Sequence, residues 1–173
     1  VYTAAATDVD AGATLTYSIS GADAALFNID ATTGVVTFKS SPNYEAPGDA
    51  GGNNVYDITV GASDGTVTTT KDVAISVTNV NEGPVFTSAT TASFAETASG
   101  AAYTAAATDP DAGAVLTYSI SGADAALFDI DPATGAVTFK SAPNYEAPGD
   151  AGGNNVYDVN VTVSDGTNTA TQA

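Results

Sequence analysis

The chain has 173 residues and carries 20 Asp and Glu against 3 Lys and Arg, a formal net charge of −17. That balance argues against nucleic acid and anionic membrane as partners, since both need clustered cationic side chains, and it favours metal cations or cationic partners, with solubility in a salty medium as the plainer reading of the same charge. Cys, Met, Trp and His are all absent; disulfide, thiolate and imidazole chemistry are therefore excluded, and any catalysis would rest on carboxylates, Tyr, Lys, Ser or Thr.

Along the chain the dominant pattern is alternation of apolar and polar residues, bounded by Gly, Asp, Asn and Pro, as in half-buried strands. Leu15, Tyr17 and Ile19 alternate with Thr14, Thr16 and Ser18. "GADAALF" at 21–27 reads as a turn or two of helix. "VVTFK" at 35–39 follows the turn signal "ATTG". "GGNNVYD" at 51–57 faintly resembles the Gly-rich nonapeptide of calcium-binding β-rolls, but it occurs once per copy and reads as a loop. Tyr56, Ile58 and Val60 then alternate with Asp57, Thr59 and Gly61, and Val73, Ile75 and Val77 with Asp72, Ala74 and Ser76. "TNVNEGPVF" at 78–86 reads as a junction, because Glu82, Gly83 and Pro84 do not extend a strand ladder and Pro84 stiffens the entry to the next module. No apolar run approaches the roughly 18 residues of a membrane-spanning helix. The chain opens at Val1 without a charged leader, as expected of a fragment of something longer.

From Ala102 the chain repeats itself. Residues 1–72 and 102–173 align without gaps and are identical at 56 of 72 positions. An offset of 101 residues is too long for a solenoid repeat and fits one small domain copied in tandem. The pattern predicts about seven strands per full module: roughly 86–96, 102–108, 115–121, 127–131, 136–140, 156–163 and 167–173. The expected fold is all-β, a tandem of seven-stranded antiparallel sandwiches. The boundary is expected near Glu82. Module 1 (1–82) then lacks its first strand and module 2 (83–173) the end of its last, which leaves unpaired edges. Replacements such as Val9 by Pro110, Ala31 by Pro132 and Asn28 by Asp129 fall at turns and strand ends, where Pro and Asp are tolerated.

Acidic residues recur at four places per module. The first is a DxD followed by Ala-Gly, Asp8/Asp10 and Asp109/Asp111. The others are Glu45 and Glu146 in "PNYEAPG", Asp64 and Asp165 in "SDG", and Glu96 in "ASFAE". The junction adds Asn79, Asn81 and Glu82. All are hard oxygen donors, a set that selects Ca²⁺ over zinc or copper. Two carboxylates about 4 Å apart repel by roughly 4 kcal/mol at an effective dielectric of about 20. Several converging without a cation would strain a domain of about 5–15 kcal/mol stability.

Taken in order and spacing, "ATDPDAG…LTYSI", "FDIDPATGAVTF", "NYEAPGDAGGNNVYDVNVTVSDG" and "ISVTNVNEGPVF" resemble the cadherin-like repeat in the form common in large bacterial surface proteins. The resemblance spans essentially the whole chain. It implies a Greek-key sandwich with Ca²⁺ held between successive modules. It further implies that Glu45, Asn79, Asn81 and Glu82 join Asp109, Asp111 and Asp165 in one inter-module site. Glu96 and Glu146 would face the far end of module 2, and Asp8, Asp10 and Asp64 a preceding module. The family's acidic linker start reads Asn79 here, and its acid two residues before Glu45 reads Asn43. Fewer or weaker ions than in the animal proteins are therefore expected. The strand-exchanging Trp of animal adhesive cadherins has no counterpart.

The expected role is an extracellular, calcium-stiffened spacer or adhesion element of a surface protein or filament, with neighbouring copies of the module as partners. Polysaccharide binding is the alternative, through Tyr44 and Tyr145, which are expected to pack beneath their loops instead. Strand exchange between subunits is a further possibility. An enzyme built on Glu45-type and Glu96-type carboxylates is disfavoured, because nothing in the sequence supplies a cleft.

Overall fold

The computed structural model describes residues 1–10 and 12–173; Ala11 lies outside the described residues. The chain divides into two compact units, Val1–Val80 and Asn81–Ala173.

Unit 1 holds β1 (Tyr2–Thr3), β2 (Thr16–Ser20), β3 (Phe27–Ile29), β4 (Val35–Phe38), β5 (Val55–Ser63) and β6 (Thr68–Ser76). They form two antiparallel three-stranded sheets, ordered β1-β4-β3 and β2-β5-β6. The apolar phase of each strand points between the sheets. Phe27 and Val36 from one sheet meet Tyr56, Ile58 and Val60 from the other, and all five are buried. Phe38 completes an aromatic cluster, with ring centroids 4.4 Å from Phe27 and 5.0 Å from Tyr56. This is the sandwich that period-2 patterning predicts. "GADAALF" contributes a single 3₁₀ turn, Ala24–Leu26.

Unit 2 repeats the plan with β7 (Val85–Phe86), β8 (Tyr103–Thr104), β9 (Ala107–Thr108), β10 (Thr117–Ser121), β11 (Phe128–Ile130), β12 (Ala136–Phe139), β13 (Asn160–Ser164) and β14 (Thr169–Gln172). Its sheets are β8-β12-β11 and β10-β13-β14, with β7 paired to β9.

Three strand expectations need correction. The strand expected over 86–96 is ladder only at Val85–Phe86; beyond it, Phe94 packs on Phe139 at 5.4 Å and the backbone runs irregularly. The strand expected over 102–108 is split into β8 and β9, which pair with different neighbours, β12 and β7. The strand expected over 156–163 begins only at Asn160. The reason is pairing. The counterparts of 156–159 in unit 1, Val55–Ile58, bond to Val73–Ser76, whose own counterparts fall past Ala173. Tyr157 and Val159 are accordingly only partly buried, and the core of unit 2 centres on Val161 and Val163.

Two local conformations fix the turns. Gly34 and Gly135 sit at φ +69° and +71°, and a Cβ there would lie 2.6 Å from the Ala4 carbonyl or 2.5 Å from that of Ala105. Only glycine permits both the dihedral and the close approach. The loop reading of "GGNNVYD" agrees with the structure only over 51–54, because Val55–Asp57 already belong to β5 and pair with β6. Asp49 is buried, and its two oxygens accept the backbone N–H groups of Asn53 (3.0 Å) and Asn54 (2.9 Å).

Candidate metal centre

Each acidic turn is built by its own carboxylate. Asp109 Oδ1 accepts the N–H of Asp111 at 3.0 Å, and Asp8 Oδ1 accepts that of Asp10 at 2.8 Å. This Asx-type bond is why DxD forms a tight loop in both copies. Asp165 Oδ1 accepts the N–H groups of Thr167 and Asn168 at 2.6 Å each, as Asp64 Oδ1 accepts those of Thr66 and Val67 at 2.7 Å each. These backbone bonds hold both carboxyls below the usual carboxylate range; for Asp165 the Asn81 side-chain amide adds to the effect.

In unit 2 the linker is laid across these turns. The Glu82 N–H donates to Asp111 Oδ2 at 2.9 Å, and Asn81 Nδ2 donates to Asp165 Oδ2 at 2.8 Å. Asn168 Nδ2 donates to the carbonyls of Asn81 (3.1 Å) and Glu82 (2.8 Å). Pro84 is buried and anchors the segment after it. A carboxylate oxygen of Glu82 lies within 4.8 Å of one of Asp111. Like charges at that distance repel by about 3 kcal/mol at an effective dielectric of about 20, and by less than about 1 kcal/mol in bulk water. Asp109 Oδ2 is buried and has no hydrogen-bond partner. A buried, unpaired carboxylate oxygen is costly, and a cation is one group that would satisfy it. The oxygens around these turns are carboxylates and the backbone carbonyls of Asn81 and Glu82, a set that suits a hard cation such as Ca²⁺.

The structure thus brings Asn81, Glu82, Asp109, Asp111 and Asp165 to one end of unit 2. Glu45 and Asn79 belong to unit 1 and are exposed; Glu45 sits on the turn closed by its N–H bond to Asn43 Oδ1 at 2.8 Å. Asp8, Asp10 and Asp64 occupy the matching turns of unit 1. Glu96 Oε2 accepts the Tyr145 N–H at 2.8 Å, beside Glu146, whose own N–H bonds to Asn144 Oδ1 at 3.0 Å. The tyrosines of these loops do not pack beneath them: Tyr44 is 41% and Tyr145 68% exposed.

Sequence reasoning passed over two sets of residues. Asp23 and Asp124 are buried, and the two oxygens of Asp23 accept the N–H groups of Ala50 and Asp57 at 2.7 Å each. Lying inside the helical-looking "GADAALF", they gave no acidic-motif signal. Asn168 stands where the first copy has Val67, and that difference between near-identical copies was the available clue.

No family model matches the chain. Over 88 residues, 48% of its length, it is 39% identical to human protocadherin Fat 1, and it spans 2% of that protein. The crystal structure of human protocadherin-24 EC1-2 matches with a TM-score of 0.64 at 23% identity, over 99% of this chain and 81% of that one. That of Drosophila N-cadherin EC1-4 matches with a TM-score of 0.60 at 26% identity, over 93% and 39% of the two chains.

Proposed function

Because the chain folds as cadherin-like domains, we propose that it is an extracellular repeat segment of a large adhesin or surface filament, bacterial in type, stiffened by Ca²⁺ where one module succeeds another. Asn81, Glu82, Asp109, Asp111 and Asp165 would hold the ion, with Glu45 and Asn79 supplied by the preceding module. Asp8, Asp10 and Asp64 would serve the junction before, and Glu96 and Glu146 the one after. Bound there, Ca²⁺ would neutralise the facing carboxylates and remove hinge freedom from the linker. In this reading the chain is a structural repeat and not an enzyme. Its partners in this reading are neighbouring copies of the module.

The observation that carries the reading is the approach of Glu82 to Asp111 beside the buried, unpartnered Asp109 Oδ2. Thermal unfolding in Ca²⁺ and in EDTA tests it. A ligand that binds only the folded state adds about 2.7 kcal/mol at a hundredfold excess over its dissociation constant. For a domain of this size that is a rise of roughly 10 °C or more. Mg²⁺ is expected to substitute poorly, since it demands a tighter octahedron and gives up water reluctantly. Asp111→Asn keeps an oxygen acceptor for the Glu82 N–H while removing a charge. It should abolish the Ca²⁺-dependent rise and leave the EDTA melting temperature equal or slightly higher. Identical melting of the parent chain with and without Ca²⁺ would refute the metal.

A further inference from the structure

Asn168 is one of the 16 places where the aligned copies differ, and its side chain reaches the linker. Its amide nitrogen donates to the Asn81 carbonyl (3.1 Å) and to that of Glu82 (2.8 Å). Gly83 lies flat against it: a Cβ on Gly83 would stand 3.3 Å from Asn168 Cβ. The Asn81 amide returns a bond to Asp165, in the same turn. In the first copy the position is Val67, 66% exposed. The two turns are otherwise closed alike. Asp64 or Asp165 accepts the N–H at this position, and Ser63 or Ser164 donates its hydroxyl to the carbonyl of Val67 or Asn168, at 2.9 and 3.1 Å. The turn therefore folds with either residue, and only Asn offers a hand to the linker.

We propose that Asn168 is a positioning residue that orders the linker at Asn81–Gly83 before any cation binds, and so sets the Ca²⁺ affinity of the site. The bonds run to backbone carbonyls, so the ordering depends neither on an ion nor on the linker's side chains. A turn of the Val67 kind lacks that device. A linker facing it would keep only bonds of the kind that the Glu82 N–H and the Asn81 amide make to Asp111 and Asp165, and would bind the ion more weakly. The affinity half of the proposal rests on the metal reading above; the ordering half does not.

The test compares the chain with Asn168→Val, the residue the first copy already places in this turn. In EDTA, amide exchange and ¹⁵N relaxation are followed by NMR at Asn81, Glu82 and Gly83, and Ca²⁺ binding is measured by titration calorimetry. The variant should unfold near the parent temperature in EDTA, exchange the Glu82 amide about tenfold faster, and bind Ca²⁺ about tenfold more weakly, the scale of two modest hydrogen bonds. Asn168→Gln, which retains the amide on a longer arm, should recover part of both effects. Unchanged exchange at Glu82 in the Val variant would overturn the ordering. Faster exchange with unchanged Ca²⁺ affinity would overturn the affinity-setting role. A parent chain that takes up no Ca²⁺ would sink the metal reading, while exchange in EDTA still decides the ordering.

Discussion

Six carboxylates in this chain have a structural job that is visible residue by residue. Asp30, Asp49 and Asp64, with Asp131, Asp150 and Asp165 in the second copy, accept backbone N–H groups in turns, and those bonds hold their pKa values below the ordinary Asp value. A folded-state pKa below the unfolded one contributes stability that is present above the unfolded value and lost as pH falls through the folded one. Stability should therefore be level near neutrality and decline as pH drops through about 4. General relief of negative charge acts in the opposite direction, so the urea midpoint is best followed in about 1 M salt, where the Debye length is about 3 Å. A midpoint that rises steadily down to pH 3 would contradict the assignment. Asp23→Ala isolates the structural job. It strands the N–H groups of Ala50 and Asp57, and unit 1 should lose about 1–3 kcal/mol in the same urea measurement, with no change in Ca²⁺ binding.

At the scale of elements, strands whose apolar phase and bounding turns both lie in the local sequence were legible: β2, β3, β4, β5 and β6, and their repeats β10, β11 and β12. The errors fell where a strand's length depends on a partner far away in sequence. β13 starts late for want of a facing strand, and the 86–96 segment lays Phe94 against Phe139 without a ladder. Neither fact is encoded in the residues of the segment itself. The acidic motifs were legible for the same local reason, since DxD and SDG close their own turns; the linker's bond to Asn168 joins residues more than 80 apart and was not. The turn glycines give a direct test of local encoding. Gly34 and Gly65 both have positive φ, but a Cβ at Gly34 meets the Ala4 carbonyl at 2.6 Å whereas one at Gly65 meets nothing within 4 Å. Gly65→Ala should cost about 1–2 kcal/mol from the dihedral alone. Gly34→Ala adds a backbone clash and should cost clearly more, read as the difference between the two urea midpoints. Equal costs would mean that unit 1 absorbs the clash by shifting β1.

For the whole molecule the governing quantity is the charge of −17 on 173 residues. The described residues contain one ion pair, Lys140 with Asp129 at 3.8 Å, and both side chains are largely exposed; Lys39 and Lys140 are spent on the carbonyls of Ala25 and Ala126. Internal pairing therefore does little to offset the repulsion, which opposes the compact state. Cations can relieve it in two ways, and the two separate cleanly. Sodium chloride screens exposed pairs over a Debye length that shrinks from about 10 Å at 0.1 M to about 3 Å at 1 M, so it should raise the melting temperature gradually over that whole range. Ca²⁺ captured by a built site acts by mass action, with a rise that sets in near the dissociation constant and then grows with the logarithm of concentration. At a fixed background of about 0.15 M NaCl, millimolar Ca²⁺ changes the Debye length of about 8 Å very little. A large shift under those conditions is binding, not screening. Asp111→Asn should remove that shift and leave the sodium chloride slope almost intact, because it takes away one charge of many. If sodium chloride at matched ionic strength reproduces the whole Ca²⁺ effect, the acidic surface serves solubility alone and the linker is ordered by its hydrogen bonds to Asp111, Asp165 and Asn168 without an ion.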